Sequence, residues 1–461
     1  MMRHAQNLLL LALLLGGAVF VRAGASTNSL VWQVARDNVT ADVRGEALWP
    51  LLEDIAHQTG WHIFVEPGID RKADVKFADL ATGPALKKLL GDLSFALVPK
   101  TNEADHLYVF ATTIRAATLR VKVATTNAPA VAKHVPNELI VKVKPGTDID
   151  ALAKALGAKV IGRDDKLGIY RLQFADVAAT EAALGKLQNN PDVAAVEYNY
   201  YFDPPQNPQK VAGSTVAPVT LALDPGTPND PCHPVVGLID TTMQSLGSQL
   251  DPFILKPISV TGETAAPAAA NAGPTHATSM AETILRAVSQ QGASSSVRIL
   301  PVDVYGSSET ATTWNVALGV KAAVDGGATV LNMSLGGNTD STILGSVIAQ
   351  ALAKGVVIFA AAGNQPVNTP TYPAALAGVN AVTALGAPGQ LAAYANYGNF
   401  VGMALPGDSV VYLGNQAYVV QGTSPATAYA SGVAAGYKGI NCDTWAQIQT
   451  LMQQKFPVPA K

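Results

Sequence analysis

Residues 235–240 read VVGLID, a short apolar run that ends in the carboxylate Asp240. Runs of similar length occupy Val330–Met333 and Val356–Ala361, and they carry few polar residues. Such runs are typical of strands that are buried on both faces of a parallel sheet. Helices are predicted between and after the runs, at 275–290, 312–325, 341–354, 424–436 and 443–454. This alternation predicts an α/β fold in which a parallel sheet carries helices on both faces.

Asp240 and His276 are the first candidates for chemistry. Asp240 ends a predicted strand, and catalytic groups gather at the carboxyl ends of strands in open α/β sheets. His276 lies in GPTHATSMAETIL (273–285), at the start of a predicted helix. An imidazole can take and return a proton near neutral pH. Taken singly, the carboxylate is also explained as a cap and the imidazole as a structural group.

Ser424 and Asn364 are the other two candidates. Ser424 lies in GTSPATAYASG (422–432) and opens a predicted helix of small residues, so free backbone N–H groups face its hydroxyl. Asn364 closes VVIFAAAGN (356–364), where a side-chain amide can donate to an oxyanion, although an Asn after Gly is also a common turn residue. The order Asp, His, Asn, Ser along the chain predicts a serine nucleophile that is activated by a His–Asp pair.

The segments that carry these residues resemble those of the subtilase family, over essentially all of residues 233–440. They are VVGLIDTTM (235–243), THATSMA (275–281), LNMSLGG (331–337), AAAGN (360–364) and GTSPATAYASG (422–432). The resemblance implies that Asp240 orients the base, that His276 is the base and then the acid, and that Ser424 is the nucleophile. It implies a subtilisin-like fold for this region.

The same resemblance implies roles in substrate binding. Asn364 would be the side-chain donor of the oxyanion hole. The segment that pairs with the substrate backbone as an added strand would be Ser334, Leu335 and Gly336. One wall of the first specificity pocket would be formed by Ala361, Ala362 and Gly363. The chain departs from the family pattern at Thr242, where a small residue is usual, at Gly273-Pro274, and at Pro425 and Ala428 after the nucleophile. None of these departures removes a reacting group.

Residues 135–202 form a predicted small domain with the order βαββαβ. Its strands alternate apolar and polar residues, Asp148 is a candidate N-cap, and Gly157 follows the first helix. The segments ELIVKVKPGTDIDALAKALGAKVIGRDDKLGIYRLQF (138–174) and NNPDVAAVEYNY (189–200) resemble the propeptide domain of subtilisin-like proteases. That resemblance implies an intramolecular inhibitor.

Residues 30–113 form a second small α+β domain, with a helix at Leu48–Ile55 that is predicted from apolar spacing. LEDIAHQTGWHIFVEPGI (52–69) and PALKKLLGDLSFALV (84–98) resemble the short N-terminal domain of secretins and TonB-dependent receptors. The resemblance implies a docking module with a binding partner. An unrelated small α+β domain is the alternative.

The remaining segments are a leader and two linkers. Residues 1–25 combine Arg3, a 14-residue apolar run and small residues, which predicts a signal peptide and an exported, periplasmic or extracellular protein. An uncleaved membrane anchor is the alternative; after signal removal no membrane association is expected. Residues 114–134 are a predicted linker, and the proline-rich residues 203–231 are predicted to be extended, without regular structure.

Composition excludes several kinds of protein. The net charge of −3 gives no strong positive field, so nucleic acid is not an expected partner. Residues 232–461, the predicted catalytic domain, contain both cysteines, Cys232 and Cys442. In an exported chain this pair forms a disulfide or remains two unlinked thiols. A zinc protease is disfavoured because HExxH is absent, and an α/β-hydrolase esterase because residues 422–426 lack the last Gly of G-x-S-x-G.

The leading hypothesis is a secreted serine endopeptidase that is made as a zymogen and cleaves proteins or peptides through an acyl-enzyme. The catalytic steps need no metal or organic cofactor, no metal ligand is assigned, and structural calcium remains open. The alternative is a catalytically inactive subtilase-like binding protein.

Overall fold

The computed structural model describes residues 29–33, 37–99, 104–121, 133–202, 205–211, 221, 223–226, 232–263, 273–292, 294–386, 389–414 and 416–459. The predicted signal peptide lies outside these residues. The chain divides into two compact units, one of residues 1–65 and 70–117 and the other of residues 66–69 and 118–461. Within the described residues, no helix has both the length and the apolar character that a membrane span requires.

The described residues of the first unit form two sheets and two α-helices. Its elements are β1 (Ser29–Gln33), β2 (Asn38–Ala47), α1 (Leu48–Thr59), β3 (His62–Val65), β4 (Lys72–Leu80), α2 (Thr82–Leu90), β5 (Ser94–Val98) and β6 (His106–Phe110). One sheet has the order β1-β2-β4, and β5-β6-β3 are neighbours in the other. Helix α1 buries Leu51, Leu52 and Ile55 and ends at Gly60, whose φ of 73° is left-handed and therefore favours glycine. Strands β1 and β2 are additions to the predicted order.

The middle domain, residues 133–202, is a sheet covered by two helices. A 3-10 turn (Ile114–Ala116) and β7 (Leu119–Val121) come before this domain in the chain. The elements of the domain are β8 (His134–Val143), α3 (Ile149–Leu156), β9 (Lys159–Asp164), β10 (Ile169–Gln173), α4 (Val177–Gln188) and β11 (Val193–Phe202). Asp148 caps α3 by accepting from the backbone N–H groups of Asp150 and Ala151, and Gly157 ends the helix, as the sequence predicts. The two helices bury Leu139, Val141 and Leu172 of the sheet.

The C-terminal domain, residues 232–459, is built on a parallel sheet. The elements from residue 205 onward are β12 (Gln209–Lys210), β13 (Asp224–Pro225), β14 (Val235–Asp240), β15 (Ile258–Ser259), α5 (His276–Ser289), β16 (Ser294–Ser295), β17 (Arg298–Asp303), β18 (Ala311–Thr312), α6 (Thr313–Asp325), β19 (Val330–Met333), α7 (Thr342–Ala353), β20 (Val357–Ala361), β21 (Asn380–Leu385), β22 (Met403–Pro406), β23 (Asp408–Leu413), β24 (Gln416–Gln421), α8 (Thr423–Asn441) and α9 (Trp445–Lys455). The main sheet has the order β15-β17-β14-β19-β20-β21-β22.

Side chains alternate between the two faces of this sheet. Leu331 of β19 and Ile358 of β20 pack with α6 and α7, whereas α5 and α8 contact each other and strands such as β14. The sheet of the middle domain covers α6 and α7 from outside, because Ile140 and Ile169 join the same apolar cluster as Trp314. Strand β11 then continues beside β18, with Tyr201 opposite Thr312.

The proline-rich segment differs from its prediction. We expected residues 203–231 to lack regular structure, but β12 pairs with β24 and β13 pairs with β16. Leu223 is buried. Prolines exclude an independent sheet, yet an extended chain can still add to the edge of an existing one. The described parts of the segment therefore follow the surface of the C-terminal domain.

Candidate active site

Asp240 and His276 meet at the carboxyl edge of the main sheet. Nδ1 of His276 lies 2.8 and 2.9 Å from the two carboxylate oxygens of Asp240, and both side chains are buried. Since an ionised carboxylate only accepts hydrogen bonds, this contact places the proton of the neutral imidazole on Nδ1. His276 Nε2 has no hydrogen-bond partner among the described residues. The imidazole is therefore oriented with Nε2 as its basic nitrogen.

The loop after β14 fixes the helix that carries the imidazole. Thr241 Oγ1 accepts from Ala277 N at 3.1 Å. Gln244 Oε1 accepts from Thr275 N at 2.8 Å and from the Thr278 hydroxyl at 3.1 Å. The sequence analysis missed Thr241 and Gln244, because no local pattern indicates which backbone groups their side chains reach.

Thr242, one of the departures from the family pattern, has a partner of its own. Its hydroxyl donates to Asp303 Oδ2 at 2.6 Å. The other carboxylate oxygen of Asp303 accepts from the backbone of Tyr305 and Gly306, each at 2.9 Å. Asp303 lies beside Asp240 in the parallel sheet. The hydroxyl at position 242 thus completes the hydrogen bonding of the carboxylate next to Asp240.

Ser424 is the second residue of α8 and is coupled to Ser334 in both directions. Ser424 Oγ donates to the Ser334 carbonyl at 3.3 Å, and Ser334 Oγ donates to the Ser424 carbonyl at 3.0 Å. Asn332 donates to Ser334 Oγ at 3.0 Å and accepts from the Ser431 hydroxyl at 3.0 Å. Pro425 fits here because the first turn of a helix does not need its N–H. Helix α8 and the segment after β19 are therefore tied together.

Asn364 is held through its oxygen. Asn364 Oδ1 accepts from Thr423 N at 2.7 Å and from Thr423 Oγ1 at 3.0 Å, which leaves Nδ2 to donate elsewhere. A Cβ at Gly422 would lie 2.9 Å from this Nδ2, and Gly422 has a φ of 144°. Both facts explain why glycine precedes the Thr423-Ser424 pair.

One cavity collects most of the predicted binding residues. It is lined by Ser334, Leu335, Gly336, Ala361, Gly363, Asn364 and Ser424, together with Pro205 and Gln206 of the proline-rich segment. Ala362 is fully buried and does not line this cavity, and its backbone N–H donates to Val382 O. Its place in the wall of the specificity pocket stays a prediction.

The two cysteines are 210 residues apart in sequence and close to each other in space. Cys232 and Cys442 form a disulfide in the structure, with their Cα atoms 5.4 Å apart. Among the residues that the structure describes, no group of three or more His, Cys, Asp or Glu side chains is arranged to hold a metal ion.

Comparison with known proteins agrees with this geometry. The model of the subtilase family matches residues 233–457, and the model of the fervidolysin N-terminal prodomain matches residues 120–199. A thermophilic serine proteinase of Bacillus sp. (strain AK1) is 30% identical over 312 residues, which cover 66% of this chain and 78% of that protein. The chain belongs to the subtilase family. As a subtilase it is a serine-type endopeptidase with a prodomain, and the predicted α/β fold is confirmed.

The matches to two further relatives cover a smaller share of those proteins. The thermostable alkaline protease of Halalkalibacterium halodurans is 33% identical over 165 residues, 35% of this subtilase and 46% of that protein. The crystal structure of fervidolysin from Fervidobacterium pennivorans, a keratinolytic enzyme related to subtilisin, superposes with a TM-score of 0.56 at 20% identity. That match covers 69% of this chain and 57% of fervidolysin, and it shows a shared fold.

Proposed function

We propose that this subtilase hydrolyses peptide bonds with Ser424 as nucleophile, His276 as base and acid, and Asp240 as the group that orients His276. The observation that carries the proposal is the 2.8 Å contact between His276 Nδ1 and Asp240 at the carboxyl end of β14. Ser424 lines a cavity with Ser334 and Asn364, which follow the carboxyl ends of two other strands of the same sheet. The contact with Asp240 leaves the basic Nε2 for the serine proton. The Ser424 hydroxyl first exchanges its hydrogen bond with the Ser334 carbonyl for one with Nε2.

The chemistry then uses only groups of the chain, the substrate and water. Ser424 Oγ bonds to the substrate carbonyl carbon while its proton passes to His276 Nε2. The resulting oxyanion accepts from Asn364 Nδ2 and from the Ser424 backbone N–H. His276 returns the proton to the departing amine as the C–N bond breaks, which leaves an acyl-enzyme. Water then attacks this ester with His276 again as base, and the acid product and the serine are regenerated.

We also propose that the chain is an exported zymogen that cuts itself between Pro205 and Gln206. Both residues line the cavity that contains Ser424 and Asn364. Phe202, three residues before Pro205, is 3% exposed and belongs to the apolar cluster of Leu335. A substrate with a large apolar residue at this distance before the cut would use the same surface. Export is supported by the predicted signal peptide and by the Cys232–Cys442 disulfide; residues 30–113 would serve as a docking module.

The test compares the secreted full chain with Ser424→Ala and His276→Ala. Either substitution should lower casein hydrolysis by about 10⁴–10⁶-fold with an unchanged circular dichroism spectrum. Intact mass and N-terminal sequencing should locate the cut before Gln206 in the wild type and find Ser424→Ala uncut. A fluorophosphonate probe, which reacts with activated serines, should label the wild type and neither Ser424→Ala nor His276→Ala. Wild-type protein that neither cleaves casein nor reacts with the probe would support the inactive binding protein instead.

A further inference from the structure

The edge of β24 that faces away from β23 holds an extended peptide, which is the chain's own segment Gln209–Val211. In this antiparallel pairing Gln209 lies opposite Val419 and Lys210 opposite Tyr418. The ladder continues beyond β12, where Val211 N donates to Ala417 O at 3.0 Å. Gln416 Nε2 also donates to the Val211 carbonyl, at 3.1 Å. The surface thus offers backbone hydrogen bonds to an added strand.

The contact depends on the backbone of the bound segment. The side chains of Gln209 and Lys210 are exposed. Donors alternate along an antiparallel ladder, so Gln209 and Val211 direct their N–H groups to β24, whereas the N–H of Lys210 points away. Pairing of this kind accepts many different sequences.

The position of β24 relates this surface to the cavity. β24 ends at Gln421, three residues before Ser424, and Gln206 lies in the same cavity as Ser424. If the Pro205–Gln206 bond is the one cut, Gln209–Val211 are the fourth to sixth residues after the cut. An extended substrate that passes Ser424 in the same direction would reach the same backbone groups.

We propose that the backbone of Ala417–Val419 is an extended substrate site for the fourth to sixth residues after the cleaved bond, filled by Gln209–Val211 in the uncut chain. This inference rests on the proposed peptidase function and adds a substrate class, which is long extended polypeptides rather than peptides cut near their carboxyl ends. The requirement concerns length and backbone N–H groups, and side-chain identity has little effect.

The experiment uses processed wild-type enzyme and internally quenched peptides that share the residues before the cut. They carry either two or seven residues after it, and the longer peptide is also made with an N-methyl group at the fourth or at the fifth residue. The seven-residue peptide should have a kcat/KM about tenfold higher than the two-residue peptide, which corresponds to two ordinary backbone hydrogen bonds. N-methylation at the fourth residue removes one of these two hydrogen bonds and should lower the kcat/KM of the longer peptide by about threefold or more.

N-methylation at the fifth residue, whose N–H points away from β24, is the matched control and should leave the gain in place. Equal kcat/KM for the short and long peptides would overturn the extended site, and so would equal losses from methylation at the fourth and fifth residues. In both cases, cleavage of the short peptide would still support the peptidase function. Loss of cleavage of both peptides would overturn the peptidase function and this inference with it.

Discussion

Gly162 of β9 lies against the indole of Trp314 at the start of α6, so close that a Cβ at Gly162 would stand 2.6 Å from Trp314 Cζ2. Trp314 is 4% exposed in this packing. The middle domain and the C-terminal domain therefore meet here without room for one more carbon atom.

Gly162→Val should weaken the hold of the middle domain on the enzyme. Overpacking of this kind costs about 1–3 kcal/mol, or about 5–150-fold in the dissociation constant. Valine suits a strand, so the middle domain itself should still fold. The measurement is the delay between self-cleavage on a gel and the appearance of activity, which should shorten. Gly185→Ala on α4, where a Cβ meets nothing within 4 Å, is the control and should keep the wild-type delay.

Glu197 should make the release of the middle domain depend on pH. Its carboxylate accepts from the Ser341 hydroxyl and from Ile343 N at the start of α7, and burial raises the pKa of Glu197 above its ordinary value of 4.5. The docked state therefore favours the protonated carboxyl. The protonated Glu197 carboxyl therefore stabilises the docked middle domain fully below pH 4.5, and this stabilisation is lost as the pH rises through the raised pKa. Release should quicken over that window, and Glu197→Gln should flatten the profile; an unchanged slope in the variant would contradict the assignment.

Thr242→Val should lower the stability of the C-terminal domain. The substitution removes the hydroxyl donor from Asp303 but keeps the shape of the side chain. A loss of about 1 kcal/mol is expected, or about 2–4 °C in Tm for a domain of this size. Calorimetry of the processed enzyme checks this, and Thr242→Ser, which keeps the donor, should retain most of the wild-type Tm. If valine and serine behave alike, the hydrogen bond to Asp303 contributes nothing measurable.

Glu53 should make the first unit less stable at alkaline pH. Burial raises the pKa of Glu53 to about 7, although Trp49 Nε1 donates to its carboxylate at 3.0 Å. The protonated form is therefore favoured on folding, so the stabilising contribution is greatest below pH 4.5 and disappears as the pH passes about 7. Glu53→Gln should slow hydrogen exchange of α1 amides at pH 8 relative to wild type and change little at pH 5. Faster exchange of the variant at pH 8 would refute the prediction.

The sequence predicted elements best where a local signal marks both ends. Helix α3 begins after Asp148 and ends before Gly157, and the observed bounds are the predicted ones. Asp240, His276, Ser424 and Asn364 were recognisable because each follows a strand or opens a helix of distinctive composition. Their roles in catalysis remain predictions.

Contacts between distant segments were not predictable. Thr242 and Asp303 are 61 residues apart, and no pattern near either residue indicates the other. The pairing of Gln209 with β24 uses backbone groups that every residue carries. The proline-rich composition of residues 203–231 therefore predicted an extended chain but not the strand with which it pairs. Ala362 was assigned with its neighbours as a group from the family resemblance, which does not indicate that its side chain is fully buried.

The Cys232–Cys442 bond spans 210 residues and so encloses nearly all of the C-terminal domain. A protease in solution continually meets other copies of itself, and exposed loops are the usual sites of nicking. A single nick in any loop between β14 and α8 leaves two fragments that are still one covalent molecule, with the strand of Asp240 in the first and helix α8 in the second. Self-digestion would then appear as a new band only after reduction, and a nicked molecule would keep its halves together at any dilution.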